Sequence, residues 1–125
     1  MQKTYGSYKY TAEITGGNTT KQTVVNVKTG AINYEVTAEY YTGMPNKTNL
    51  NIFEYDQFDH ILSDNELFGK KNTHLLKKVT RTSANKYVYE YTYNTDANGY
   101  ITSYTLTYTV NGGVPSTGTY KFTYL

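Results

Sequence analysis

The sequence predicts an all-β fold, an antiparallel up-and-down meander of seven to eight strands, and three observations carry that expectation. Apolar and polar residues alternate with period two in at least six segments, and short breaks containing Gly or Asn separate those segments. The composition also leans to strand formers: tyrosine supplies 16 of the 125 residues, threonine is abundant, and tryptophan and cysteine are missing. Tyr and Thr fit a pleated surface while keeping a polar end for water, so they suit a sheet whose faces are only partly dry.

The best-specified element is the hairpin Tyr87 to Val110. Tyr87, Tyr89, Tyr91 and Tyr93 share one face of the first strand; Tyr104, Leu106, Tyr108 and Val110 share one face of the return strand. Asp96-Ala97-Asn98-Gly99 reads as the loop, with Gly99 at positive φ. Closing it at Thr95 and Tyr100 sets Tyr91 opposite Tyr104, Tyr89 opposite Leu106 and Tyr87 opposite Tyr108.

From the N-terminus, Ser7 to Ile14 is the first strand, with Tyr8, Tyr10, Ala12 and Ile14 inward. Gly16-Gly17-Asn18 breaks the pattern, and Lys21 to Lys28 resumes it with Val25 and Val27 on one face. A two-residue turn at Thr29-Gly30 pairs Val27 with Ile32 and Val25 with Tyr34. The third strand runs on through Val36 and Ala38 to Tyr41, and Thr42 to Asn46 is expected to be a loop around Pro45. Thr48 to Tyr55 reads as a short strand, and Asp56 to Lys70 as a crossover whose Phe58, Ile61, Leu62, Leu67 and Phe68 plug the core. His74 to Thr82 is a strand turned at Ser83-Ala84-Asn85, where Asn85 is expected at positive φ. After the main hairpin, Asn111 to Pro115 is a loop, and the last strand pairs Gly118 with Val110 and carries Tyr120, Phe122 and Tyr124 inward. Such a meander curls into a barrel or half-barrel, or packs as two layers.

At this length, residues 1–125 form a single domain that buries roughly two-thirds of its unfolded surface. A net charge of +2 with no long run of like charge gives no reason to expect nucleic acid. No apolar run approaches the ~18 residues of a membrane helix. Without cysteine there is no disulfide framework and no thiolate metal site.

Few residues offer chemistry. His60 and His74 have no metal-ligand spacing, and no serine lies in a Gly-x-Ser-x-Gly context. Asp56, Asp59, Asp64 and Glu66 form the densest acidic cluster; they are the weak candidates for calcium or for an acid and base pair, and Ser63, Asp64 and Glu66 are as well explained by helix capping. Lys70, Lys71, Lys77, Lys78 and Arg81 are read as edge-strand charges that block sheet-to-sheet pairing. The tyrosines fill the interior of a curled sheet or, if part of their face is open, form the candidate ligand surface, with Tyr87, Tyr89, Tyr91, Tyr104 and Tyr108 as its residues, because hydroxylated rings stack on sugars and hydrogen-bond them.

The stretch YTYNTDANGYIT, Tyr91 to Thr102, resembles the tyrosine-aspartate repeat of secreted bacterial proteins through Tyr93, Asp96, Gly99, Ile101 and Thr102. A longer span resembles uncharacterised extracytoplasmic lipoproteins of Bacteroidetes with a porin-like half-barrel meander. That likeness lies in Asn49 to Phe53, Leu67 to Lys70, Leu75 to Thr80, the Tyr-rich hairpin, and Tyr120 to Tyr124. It implies a half-barrel and an extracytoplasmic place, periplasm or outer surface, with the export signal outside this chain; it lends no activity. The expectation is a non-enzymatic envelope module without a cofactor, with a glycan or envelope component as partner. The alternatives are a carbohydrate binder on the tyrosine face and a small hydrolase using the carboxylates of 56–66.

Overall fold

A computed structural model describes residues 2–47 and 73–121 of the chain. They form one sheet of eight antiparallel strands in sequence order: β1 (Gln2–Tyr5), β2 (Tyr8–Thr15), β3 (Asn18–Asn26), β4 (Ile32–Pro45), β5 (His74–Thr82), β6 (Lys86–Thr95), β7 (Ile101–Val110) and β8 (Ser116–Lys121). The meander is thus as the alternation predicts, and it stays open: β1 and β8 are its two edges. The strand expected over 48–55, the crossover around 56–70, and Phe122 and Tyr124 lie outside the described residues.

Residues that face one another across neighbouring strands share a side of the sheet, so the register assembles each face row by row. One inner row runs Ala12, Gln22, Val36, Arg81, Tyr87, Val110; the next runs Ala38, Val79, Tyr89, Tyr108, Ser116. On the outer side, Glu39, Lys78, Glu90, Thr107 and Thr117 make one row, and Thr92, Thr105 and Thr119 another. Burial follows these rows. The core gathers Val36, Ala38, Leu75, Leu76, Val79, Tyr91, Ile101 and Tyr104 on the inner side, with Tyr34, Tyr40, Met44, Tyr89, Tyr93 and Leu106 against it.

Three registers differ from expectation: a side chain or a bulge resets the turn in two hairpins, and the last strand starts earlier than expected. In the main hairpin the Asp96 carboxylate accepts the Asn98 and Tyr100 amides, and the Asp96 amide donates to the Tyr100 carbonyl. The loop therefore closes at Asp96 and Tyr100, and a bulge beside Thr95 adds one more step. Tyr93 faces Tyr104, Tyr91 faces Leu106 and Tyr89 faces Tyr108, a slip of two that leaves every side chain on its predicted face. Gly99 has φ of 84°, as expected.

Between β3 and β4 the slip changes faces. Asn26 closes a four-residue loop, its carboxamide oxygen accepting from the Lys28 and Thr29 amides and its backbone pairing with Ala31 and Gly30. Val24 then pairs with Tyr34, so Gln22 and Val24 are the buried positions while Val27 is exposed; Val25 and Val27 are not the inner face. At the last strand, Ser116 follows the loop directly and sets Tyr120 against Tyr104, four residues from the expected pairing.

Other corrections are local. Strand β1 precedes the first expected strand and pairs with it around Gly6-Ser7. Strand β4 continues through the expected loop to Pro45, which pairs with His74 across a large register break after Tyr40. Among the described residues Asn111, not Asn85, is the non-glycine residue at positive φ, with φ of 51°. Finally, β5 is flanked by β4 and β6, so its lysines do not guard an edge. Lys78 lies on the outer side between Glu39 and Glu90, Arg81 lies on the inner side, and Lys77 sits 5.7 Å from the Tyr41 ring, so no basic patch forms on β5.

Candidate ligand face

The inner face divides along the strands into a dry part and a partly open part. Near the β6–β7 loop, Tyr91 and Tyr104 are 2% and 5% exposed and belong to the core. Tyr104 stacks on Tyr120 at 4.9 Å between ring centroids, and Tyr93 donates its hydroxyl to the Leu76 carbonyl at 2.7 Å. Buried phenols tied to backbone carbonyls fill space and fix strands; their hydroxyls are spent.

Toward the other end of the strands the tyrosines are half-buried. Tyr87 lies nearly parallel to Tyr108 at 6.3 Å, and Tyr89 meets Tyr108 at 5.0 Å. The register brings Arg81 beside Tyr87 on this side, and its guanidinium carbon sits 4.5 Å from the Tyr34 ring and 5.8 Å from the Tyr87 ring. A guanidinium between two aromatic faces is held flat by cation–π attraction, which orients its N–H edge. The Arg81 Nε is buried with no hydrogen-bond partner. Burial, with help from Tyr10, raises the Tyr34 phenol above its ordinary value against the opposing pull of Arg81, so the ring hydroxyl stays protonated at neutral pH. The half-buried part of the face thus offers flat rings, hydroxyls and one cation, whose Nε is itself covered.

Of the residues the alternation nominates, Tyr87, Tyr89 and Tyr108 stand in this half-buried group, while Tyr91 and Tyr104 lie deeper. Arg81 and Tyr34 join them in space. Arg81 was readable: it lies two residues beyond the inward Val79, so the same period that places Val79 turns it inward. Treating it as one of a run of cations hid that parity.

His74 has a structural environment. Its backbone amide donates to the Asn18 carboxamide oxygen at 3.0 Å, which leaves the Asn18 NH2 to donate to the His74 Nδ1 at 3.0 Å, and Thr73 Oγ1 lies 2.9 Å from the same nitrogen. This cluster ties the start of β3 to the start of β5 across the break in β4. It also explains Gly17, where a Cβ would stand 2.6 Å from the Thr73 methyl. Among the described residues no group of three or more His, Cys, Asp or Glu is placed to hold a metal ion. Asp56, Asp59, Asp64, Glu66 and His60 lie outside those residues. No described helix is long and apolar enough to cross a membrane.

No protein-family model matches the sequence, and no curated protein matches it. Among solved structures the chain is similar to a porin-like protein from Bacteroides uniformis, with a TM-score of 0.43 and 16% identity over 93% of this chain. The chain spans 59% of that protein's length.

Proposed function

We propose that this chain is a non-enzymatic β module that binds a saccharide bearing a carboxylate along Tyr34, Arg81, Tyr87 and Tyr108, at an extracytoplasmic surface. The observation that carries the reading is the Arg81 guanidinium held against the Tyr34 and Tyr87 rings on the half-buried part of the inner face. Aromatic faces of this kind stack on the apolar side of a pyranose, and a fixed guanidinium suits a carboxylate, so together they favour a uronic-acid unit over a neutral sugar. The extracytoplasmic placement rests on the likeness of the hairpin segments to envelope proteins.

Calorimetric titration with an oligosaccharide of galacturonic acid, beside a neutral oligosaccharide of equal length, tests this. The acidic sugar is expected to bind and the neutral one to bind far more weakly. A charge-assisted hydrogen bond is worth ~1.5–3 kcal/mol, so Arg81→Gln should weaken binding by roughly ten- to a hundredfold. Equal affinity for both sugars, or an Arg81→Gln variant that binds as tightly as the parent, would refute the assignment.

A further inference from the structure

All four tight connections β1–β2, β3–β4, β5–β6 and β7–β8 lie at one end of the sheet, because the strands are sequential and antiparallel. Val114 is 93% exposed, Ile32 62%, Val27 48% and Tyr8 38%, each in or next to one of those turns. Single exposed aliphatics are ordinary; here three of the four exposed large aliphatics among the described residues, Val27, Ile32 and Val114, gather at this end, while Ile14, Tyr100 and Tyr120 are exposed toward the other.

The charge at this end is one-sided. The segments 5–9, 25–33, 82–87 and 109–117 contain Lys9, Lys28 and Lys86 and no Asp or Glu. Acidic residues begin farther along the strands, at Glu13, Glu35 and Glu90.

The turns are also braced to one another. The Asn111 carboxamide accepts from the Lys86 amide at 2.8 Å and donates to the Asn85 carboxamide at 3.0 Å, joining the β5–β6 and β7–β8 turns. The Val27 amide donates to the Ser7 carbonyl at 2.8 Å, joining the β1–β2 and β3–β4 turns. Ile32 and Ala84 line one open depression between the two braced pairs, with Glu35 on its inner margin, where it pairs with Lys21 at 3.4 Å. Exposed side chains on turns that are fixed against each other form a surface already arranged for a partner, with little entropy left to lose on contact.

We propose that this end of the sheet docks on an anionic lipid surface, Val27, Ile32 and Val114 entering the interface while Lys9, Lys28 and Lys86 meet the headgroups. Aliphatic tips ringed by lysine are the chemistry of peripheral membrane contact: apolar area enters the acyl boundary, and each cation near an anionic surface adds attraction. The outward face of the sheet, with Glu13, Glu39, Lys78 and Glu90, is unsuited to lying in lipid, so only the end makes the contact. The proposal does not depend on the saccharide site.

Co-sedimentation of the full chain with phosphatidylcholine vesicles, with and without phosphatidylglycerol, tests it. Binding is expected only where phosphatidylglycerol is present, and it should weaken as salt rises, because the attraction of the lysines to the headgroups is screened. Val27→Asp with Val114→Asp should reduce binding by at least ~tenfold, as should Lys28→Glu with Lys86→Glu, because both attractions are needed. Ala97→Asp, in the exposed loop at the opposite end, should leave binding unchanged. Absence of binding, equal binding to both vesicle types, or loss of binding through Ala97→Asp overturns the proposal. So does sedimentation equilibrium showing a dimer in lipid-free buffer that Val114→Asp dissociates, which would make the end an interface between copies.

Discussion

Gln22 shows how one residue can be right for a row and wrong for its surroundings. It is 1% exposed in the middle of an inner row, between Ala12 and Val36, and neither atom of its carboxamide has a hydrogen-bond partner. A buried unpaired donor or acceptor costs ~1–3 kcal/mol, so Gln22→Leu, close in volume, should raise the urea midpoint; a lower midpoint would mean that the amide does have a partner. Tyr40 is the opposite case, a partly buried phenol whose hydroxyl donates to the Thr19 carbonyl at 2.6 Å. Burial holds its ionisation well above the ordinary value of 10.0. The folded state therefore keeps a proton that the unfolded chain gives up, and this contribution is complete below pH 10 and falls away as pH rises above it. Thermal melts from neutral pH to strong alkali should show stability declining above that point, with Tyr34 acting in the same direction. Tyr40→Phe should cost about 1 kcal/mol at neutral pH and flatten the alkaline decline; an identical decline in the variant would place its cause elsewhere.

At the level of strands and turns, the sequence shows parity more plainly than register. Alternation names the inner side of β2, β4, β6 and β7 correctly because every step of two returns the same face. It does not count the residues in a loop. Loop length here is decided by hydrogen bonds from Asp96 and Asn26 side chains to nearby amides, which compete with the simplest turn. In the main hairpin the error is even and harmless. In the β3–β4 hairpin the longer loop and the bulge move Gln22 and Val24 inward in place of Val25 and Val27. Strand β4 outruns its expected end because Pro45, which lacks an amide hydrogen, is tolerated beside a register break. Where the loop geometry was readable it is also testable: Gly99 has φ of 84°, and a Cβ there would stand 3.2 Å from the Lys47 ammonium. Gly99→Val should cost on the order of 1 kcal/mol or more, and an unchanged melting midpoint would contradict the assigned loop.

For the molecule as a whole, a single open sheet carries two kinds of tyrosine on one face. Tyr91 and Tyr104 are core, and Tyr104→Ala should cost about 3 kcal/mol or more by leaving a cavity, measured by urea unfolding. Tyr87 is only half-buried, so Tyr87→Ala should cost clearly less than Tyr104→Ala while removing the proposed ligand affinity. The sequence made the tyrosine face legible and left its division invisible, because burial within a face depends on which rows meet across strands. The measurement that bears most directly on the proposed saccharide site is a magnetic-resonance titration of protein with isotope-labelled tyrosine rings against an oligosaccharide of galacturonic acid. Ring signals of Tyr34, Tyr87 and Tyr108 should shift in a saturable way while those of Tyr91 and Tyr104 stay in place. Signals that do not move, or that move at Tyr91 and Tyr104 and not at Tyr87, would contradict the account.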